Sequence, residues 1–212
     1  MRVTKFEHAT LTLREAGKTV VIDPGSFTAP LTELEDVVAI VITHEHPDHW
    51  TPDHMDRLLK AFPNTPIYGP EGVAKAAAGY DVVTVHAGDT LDIDPFHLEF
   101  FGGRHAVIHE SIPLIDNVGV LVNGDFYYPG DSYAVPTGAT VRLLAAPVGA
   151  PWLKIGEAMD FVLAVKPRQV FGTHDMTLSV AGRDMGRARL GWAAEQGGGE
   201  LVTLNPGDGT DI

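Results

Sequence analysis

The chain of 212 residues has no cysteine, so neither disulfides nor thiolate metal ligands are available, and strong coordination rests on His, Asp and Glu. Basic residues are also scarce. Fifteen Lys plus Arg stand against 28 Asp plus Glu, a formal charge of −13 with neutral histidines. No basic stripe interrupts that negative field, which argues against nucleic acid and anionic membranes as partners and leaves a small molecule as the expected one. No run approaches the roughly 18 apolar residues of a membrane span, and the N-terminal MRVTKFEHATLTLREAGKTVVIDPG mixes charges with short apolar runs, unlike a secretion signal. A cytoplasmic protein is expected. With 44% hydrophobic and 20% charged residues the composition is that of a chain with a core, and the length suits one domain over 1–212.

Glycine and proline are spread throughout and punctuate many short elements. Alternating or β-branched runs predict strands at Val3 to Phe6, Thr10 to Leu13, Thr19 to Ile22 and Val37 to Ile42. Thr51-Pro52 then offers a helix cap with proline behind it, and Met55, Leu58, Leu59 and Phe62 fall on one helical face. A short helix at Gly72 to Ala78 precedes strands at Val82 to Val85, Leu91 to Ile93, Phe96 to Phe101, Val118 to Val122, Asp125 to Tyr128 and Val141 to Ala145. Glu157 to Lys166 reads as a helix apolar nearly all round and hence buried. A strand at Arg168 to Phe171, a helix near Gly182 to Glu195 and a strand at Glu200 to Leu204 follow, and Gly207 to Ile212 reads as a frayed tail. Helices separating groups of strands suggest sheets with helices packed outside.

The most informative stretch is Thr43-His44-Glu45-His46-Pro47-Asp48-His49-Trp50, directly after the β-branched run. In extended chain His44, His46 and Asp48 share a face, while Glu45 points away; the bend at Pro47 brings His49 in. Three imidazoles and a carboxylate in six residues are costly to crowd unless a divalent cation offsets their desolvation. A helical His-Glu-x-x-His metalloprotease motif is ruled out, because Asp48 stands where its second histidine belongs and Pro47 would sit inside the helix. Three further candidates follow strands beside glycine: His105 after Gly102-Gly103-Arg104, Asp131 after Pro129-Gly130, and His174 after Gly172-Thr173. Strand ends in open α/β folds gather ligands, which would collect these residues in one cleft. His109 competes with His105, which is preferred for its place nearer the strand end, leaving His109 to a supporting or substrate contact. His8, His54, His86 and His97 lack this context and read as structural, His54 as a surface residue of its helix. Lys154 or Arg104 could hold an anionic group of a substrate, whereas Trp152 reads as plain core.

In these motifs the chain, from Asp23 to His174, resembles the metallo-β-lactamase fold, whose hydrolases use a His-x-His-x-Asp-His run, a later His, a later Asp and a final His. The resemblance implies that His44, His46 and His105 bind one metal and that Asp48, His49 and His174 bind a second. Asp131 would bridge them, and Asp23 would support the metal loop from beneath. Gly103 to Pro113, Pro129 to Ser132 and Pro147 to Lys154 are similar to the small bacterial hydrolases related to ascorbate-6-phosphate lactonase. Members with a cysteine ligand, the added helical domain of glyoxalase-type members, the RNA-binding additions of RNA-processing members and the histidine-to-glutamate replacement of di-iron relatives all differ from this chain.

The fold implied is a four-layer αββα sandwich, α/β (α+β) in class, of two mixed sheets flanked by helices. The cofactors implied are two divalent metal ions, zinc first, with manganese or iron(II) also suited to His and Asp donors. A hydroxide shared by the metals would be the nucleophile, oriented by Asp48 and Asp131, and the expected substrate is a small lactone or ester. Alternatives are a phosphodiesterase on a small or lipid substrate, a di-iron redox protein and a non-catalytic metal-binding module.

Overall fold

The computed structural model describes residues 1–212. Its first half builds one sheet from β1 (Arg2–Lys5), β2 (Leu11–Glu15), β3 (Lys18–Ile22), β4 (Val37–Val41), then, after α1 (Pro52–Ala61), β5 (Ile67–Gly69), and, after α2 (Glu71–Ala76), β6 (Val82–Thr84). The second half builds another from β7 (Thr90–Ile93), β8 (Phe96–Arg104), β9 (Asp116–Val122), β10 (Phe126–Tyr128) and β11 (Leu143–Pro147). It continues through α3 (Ile155–Val165), β12 (Gln169–Thr173), α4 (Val180–Gln196) and β13 (Glu200–Leu201). The last strand, β14 (Gly209–Asp211), returns to the first sheet. The strand orders are β14-β1-β2-β3-β4-β5-β6 and β13-β12-β11-β10-β9-β8-β7. Both sheets are mixed: β1 to β3 and β7 to β10 pair antiparallel, whereas β3 to β6 and β10 to β13 run parallel.

The period of two in the strands sorts side chains between layers. Ala39 and Val41 join Leu143, Ala145, Phe126 and Phe171 in the core between the sheets. Their neighbours Ile40 and Ile42 turn outward onto Met55 and Leu58 of α1, and Leu144 and Ala146 turn onto Ala158, Phe161 and Val162 of α3. Strands covered on both faces read as continuous apolar runs for this reason. The result is the αββα sandwich expected. No helix is long and apolar enough to cross a membrane.

Several local expectations are corrected. The segment Gly207 to Ile212 is not a frayed tail, because Val3 pairs with Thr210 and Thr4 with Gly209, and the terminal amine donates to the Ile212 carbonyl at 2.8 Å. The helix α3 is not buried all round: only Ala158, Phe161 and Val162 are buried, since α3 lies outside its sheet and shares that surface with α4. The strand β8 runs through Gly102 and Gly103 to Arg104, still paired with Val118, Asn117 and Asp116. Glycine at φ of +89° and +128° bends this strand without breaking its ladder. The short β5 carried too few residues to show a pattern. His54 is buried, not on the surface, with Nε2 3.1 Å from the Thr28 carbonyl oxygen. At the start of α1, the Thr51 hydroxyl accepts the His54 N–H at 3.2 Å, the cap expected there.

One buried ion pair ties the sheets together beneath the strand ends. Lys5 of β1 and Asp175, just past β12, are both buried, with Nζ 3.2 Å from Oδ1, and Arg187 approaches the other oxygen at 3.6 Å. Removing one member of such a pair strands its partner's charge. Lys5→Met should therefore lower unfolding free energy by about 3 kcal/mol, read as a lower urea midpoint. An unchanged midpoint would show that the pair does not hold the sheets.

Candidate metal centre

The chemistry-bearing residues leave the carboxyl ends of the strands. His8 follows β1, Asp23 follows β3, His44 to His49 follow β4, His105 follows β8, Asp131 follows β10 and His174 follows β12. Their donor atoms form two groups. His44, His46, His105 and Asp131 make one, and His8, Asp48, His49 and His174 make the other, the donor atoms of each lying within 4.8 Å of one another. Asp131 faces both: Oδ1 is 3.3 Å from His49 Nε2, while Oδ2 is 3.1 Å from His174 Nε2 and 3.4 Å from His105 Nε2.

The supports beneath the groups orient the rings. Asp23 is buried and accepts the Thr43 N–H and hydroxyl, both at 2.7 Å, and His49 Nδ1–H at 2.6 Å. The Thr43 hydroxyl, spent as a donor on Asp23, accepts from His44 Nδ1 at 3.0 Å. His105 Nδ1 donates to the Ala106 carbonyl and His174 Nδ1 to the Gly149 carbonyl, each at 2.5 Å. With Nδ1 committed outward in all four, the Nε2 atoms point to the centre. His46 instead turns Nδ1 inward, 3.1 Å from His44 Nε2. Gly130, at φ +64°, lets the turn before Asp131 pass against Asn117 and Thr43, where any Cβ would collide. Asn117 clamps that turn, donating to the Pro129 carbonyl and accepting the Asp131 N–H, both at 2.9 Å.

Whether these residues suit cations can be judged from what they leave unbonded. Nε2 of His49, His105 and His174 and Oδ1 of Asp131 are buried with no hydrogen-bond partner. Four such orphans converging on one volume would be destabilising in a purely structural site, and their His and Asp donors fit divalent ions. The charge balance agrees. Burial alone would raise the Asp131 carboxyl, yet the facing charges of His49 and His174 hold it well below the usual range. Burial would likewise raise Asp48, but the nitrogens of His174 and His8 hold it below its ordinary value. Burial would lower His49, but Asp131 and Asp23 lift it well above its ordinary value, and His174, against the same burial, is lifted to about 9 by Asp131 and Asp48. Burial beside His49 keeps His44 well below its ordinary value, hence neutral.

Of the other candidates, His109 is exposed and bonded to Ser111 Oγ at 2.8 Å, outside both groups. Arg104 and Lys154 are exposed. Two residues gain a place that the sequence did not suggest. His8 is fully buried in the second group, and Trp152 donates its indole N–H to Asp131 Oδ2 at 2.9 Å with its ring edge-on to His105 and His174.

A family model described as a beta-lactamase superfamily domain matches residues 2–174. In sequence the chain is similar to Protein Rv0786c of Mycobacterium tuberculosis, 37% identical over 196 residues covering 90% of this chain and 91% of that one. It is also similar to a UPF0173 protein of Pyrococcus abyssi, 27% identical over 186 residues covering 82% and 83%. In structure it is similar to Igni18, a metallo hydrolase from Ignicoccus hospitalis, with a TM-score of 0.75 and 16% identity over 100% of this chain and 98% of that one. At that identity the likeness is one of fold.

The raised histidines set a pH dependence for the metal-stripped protein. His174 binds its proton more tightly folded than unfolded, so its stabilising effect is complete below about 6.5 and is lost as pH rises through about 9. Thermal midpoints in chelator should fall across that window, and zinc added near neutral pH in weak buffer should release protons as cations replace them. Flat midpoints and no proton release would contradict this charge balance.

Proposed function

The chain is a metal-dependent hydrolase of the metallo-β-lactamase superfamily, the family its residues 2–174 match, and from that premise we propose that it cleaves a small-molecule lactone or ester with two divalent cations. The carrying observation is the position of Asp131 between the groups, with Oδ2 3.4 Å from His105 Nε2 of one and 3.1 Å from His174 Nε2 of the other, and Oδ1 3.3 Å from His49 Nε2. His44, His46 and His105 would hold one cation and Asp48, His49 and His174 the other, with Asp131 shared. When bound, such a pair would bring the pKa of coordinated water toward about 7 and would polarise a carbonyl.

The chain's own residues supply position. Asn117 fixes the main chain of Asp131, and Trp152 donates to Oδ2 of its side chain, so the carboxylate is held between the two groups. Asp23 and Thr43 hold His44 and His49 from behind. Asp48 and His46, one from each group, are partly exposed and are the members that face solvent.

The surroundings favour a carboxylic ester over a phosphodiester. The neighbouring walls are aromatic or apolar: Trp152 beside His105, Phe27 against His8, and Met176 just past His174. The loop leaving His105 exposes Val107, Ile112 and Leu114. Such walls accept an apolar acyl or ring group, whereas a phosphate would ask for cations.

Zinc- or manganese-loaded protein should hydrolyse members of a lactone and ester panel, and Asp131→Asn should lose at least about 100-fold in kcat with its circular dichroism unchanged. Cleavage of phosphodiesters alone would replace the substrate class. Redox-active iron with oxygen consumption, or no turnover of any substrate by the parent protein, would overturn the hydrolytic reading.

A further inference from the structure

His8 sits in the turn between β1 and β2, far in sequence from the His44 to His49 run, yet its ring is enclosed by the second group. It lies tilted on His174 with ring centroids 3.9 Å apart, Phe27 meets it edge-on at 4.8 Å, and its main-chain carbonyl accepts the His174 N–H at 2.8 Å. Distance alone would make it a fourth donor to a cation. Its hydrogen bonds say otherwise. Nδ1 accepts the Met176 main-chain N–H at 3.3 Å, so the neutral ring carries its proton on Nε2. That nitrogen is 3.1 Å from Asp48 Oδ2. His49, His105 and His174 have the opposite tautomer, with Nδ1–H given to an oxygen and Nε2 left free.

We propose that His8 is a positioning residue: it donates Nε2–H to Asp48 and holds that carboxylate for the second cation, without itself becoming a ligand. The inference rests on the metal-centre reading above. A ring that coordinated through Nε2 would need its proton on Nδ1, where it would confront the Met176 N–H donor to donor. The backbone of His8 supports the same role. Its φ of +59° is rare for a residue with a side chain, and the hydrogen bond from His174 N–H to its carbonyl holds the turn in that conformation. The first hairpin is thereby fastened to a residue of the metal centre through main chain, and to Asp48 through side chain.

Two measurements test this without a substrate. In long-range proton–nitrogen NMR of zinc-loaded protein, His8 should show a protonated Nε2 and an acceptor Nδ1, neither bound to metal, while His49, His105 and His174 show metal-bound Nε2. His8→Gln, by removing the signal, assigns it. In chelator competition, His8→Phe, which fills the space and offers no donor, should weaken the more loosely held zinc by about 10- to 100-fold while two ions still bind at saturation. His8→Gln, whose amide offers a donor to Asp48 and an acceptor to Met176, should recover most of that loss. Zinc on Nε2 of His8, parent-like affinity in His8→Phe, or no recovery in His8→Gln would each overturn the proposal alone. A parent protein that binds no zinc would overturn the metal-centre reading and this proposal together. If His8→Phe does not fold, the NMR of the parent decides.

Discussion

Charge compensation around one buried carboxylate organises this molecule. Asp131 lies out of water among imidazole nitrogens, and no ordinary hydrogen-bond set satisfies both of its oxygens. Desolvating such a group is costly, so everything near it serves to keep opposite charge at hand and to keep the geometry from relaxing. Asn117 grips its turn, Trp152 caps one oxygen, and Asp23 anchors His49 directly and His44 through the Thr43 hydroxyl. The apolar strands behind supply the rigidity. A site built on the ends of packed strands holds its groups more closely than one built on free loops.

Much of this was legible in the sequence. The run from His44 to His49 announced itself by density, but the alternation that put Asp48 on one side with His44 and His46 does not hold, because the chain turns at 47–49 and Asp48 falls in the other group. Gly130 marked the turn before Asp131, and Thr51 marked the start of α1. His174 followed a different logic from the one its glycine suggested. Gly172 has no left-handed backbone; His174 itself takes φ +57°, held by its own hydrogen bonds to His8 and Gly149. His8 and Trp152 were illegible because their roles depend on pairing between distant segments. A histidine in an ordinary hairpin turn and a tryptophan in a proline-rich connection carry no local pattern that distinguishes a buried donor from a core residue. The β14 strand escaped for the same reason, since its partner lies at the other end of the chain.

Three residues of the centre or its support, His8, Asp23 and His174, adopt left-handed backbone without being glycine. Conformations of this kind cost of order 1–3 kcal/mol each when unsupported. They persist here because each is fixed by hydrogen bonds to a distant segment, Asp23 to Val41 of β4 and His8 and His174 to one another. Local propensity is overruled at the place where side-chain direction matters most, a departure from sequence–structure agreement expected at working sites.

Each donor group draws on both halves of the chain: His44 and His46 meet His105 and Asp131, while His8, Asp48 and His49 meet His174. The first half forms one sheet and the second half the other, so occupation of either group would staple sheet to sheet at a single edge of the sandwich. A polypeptide without cysteine would thus gain reversible cross-links between segments more than a hundred residues apart, such as those of Asp48 and His174. Ion availability would then govern resistance to unfolding and proteolysis as well as turnover.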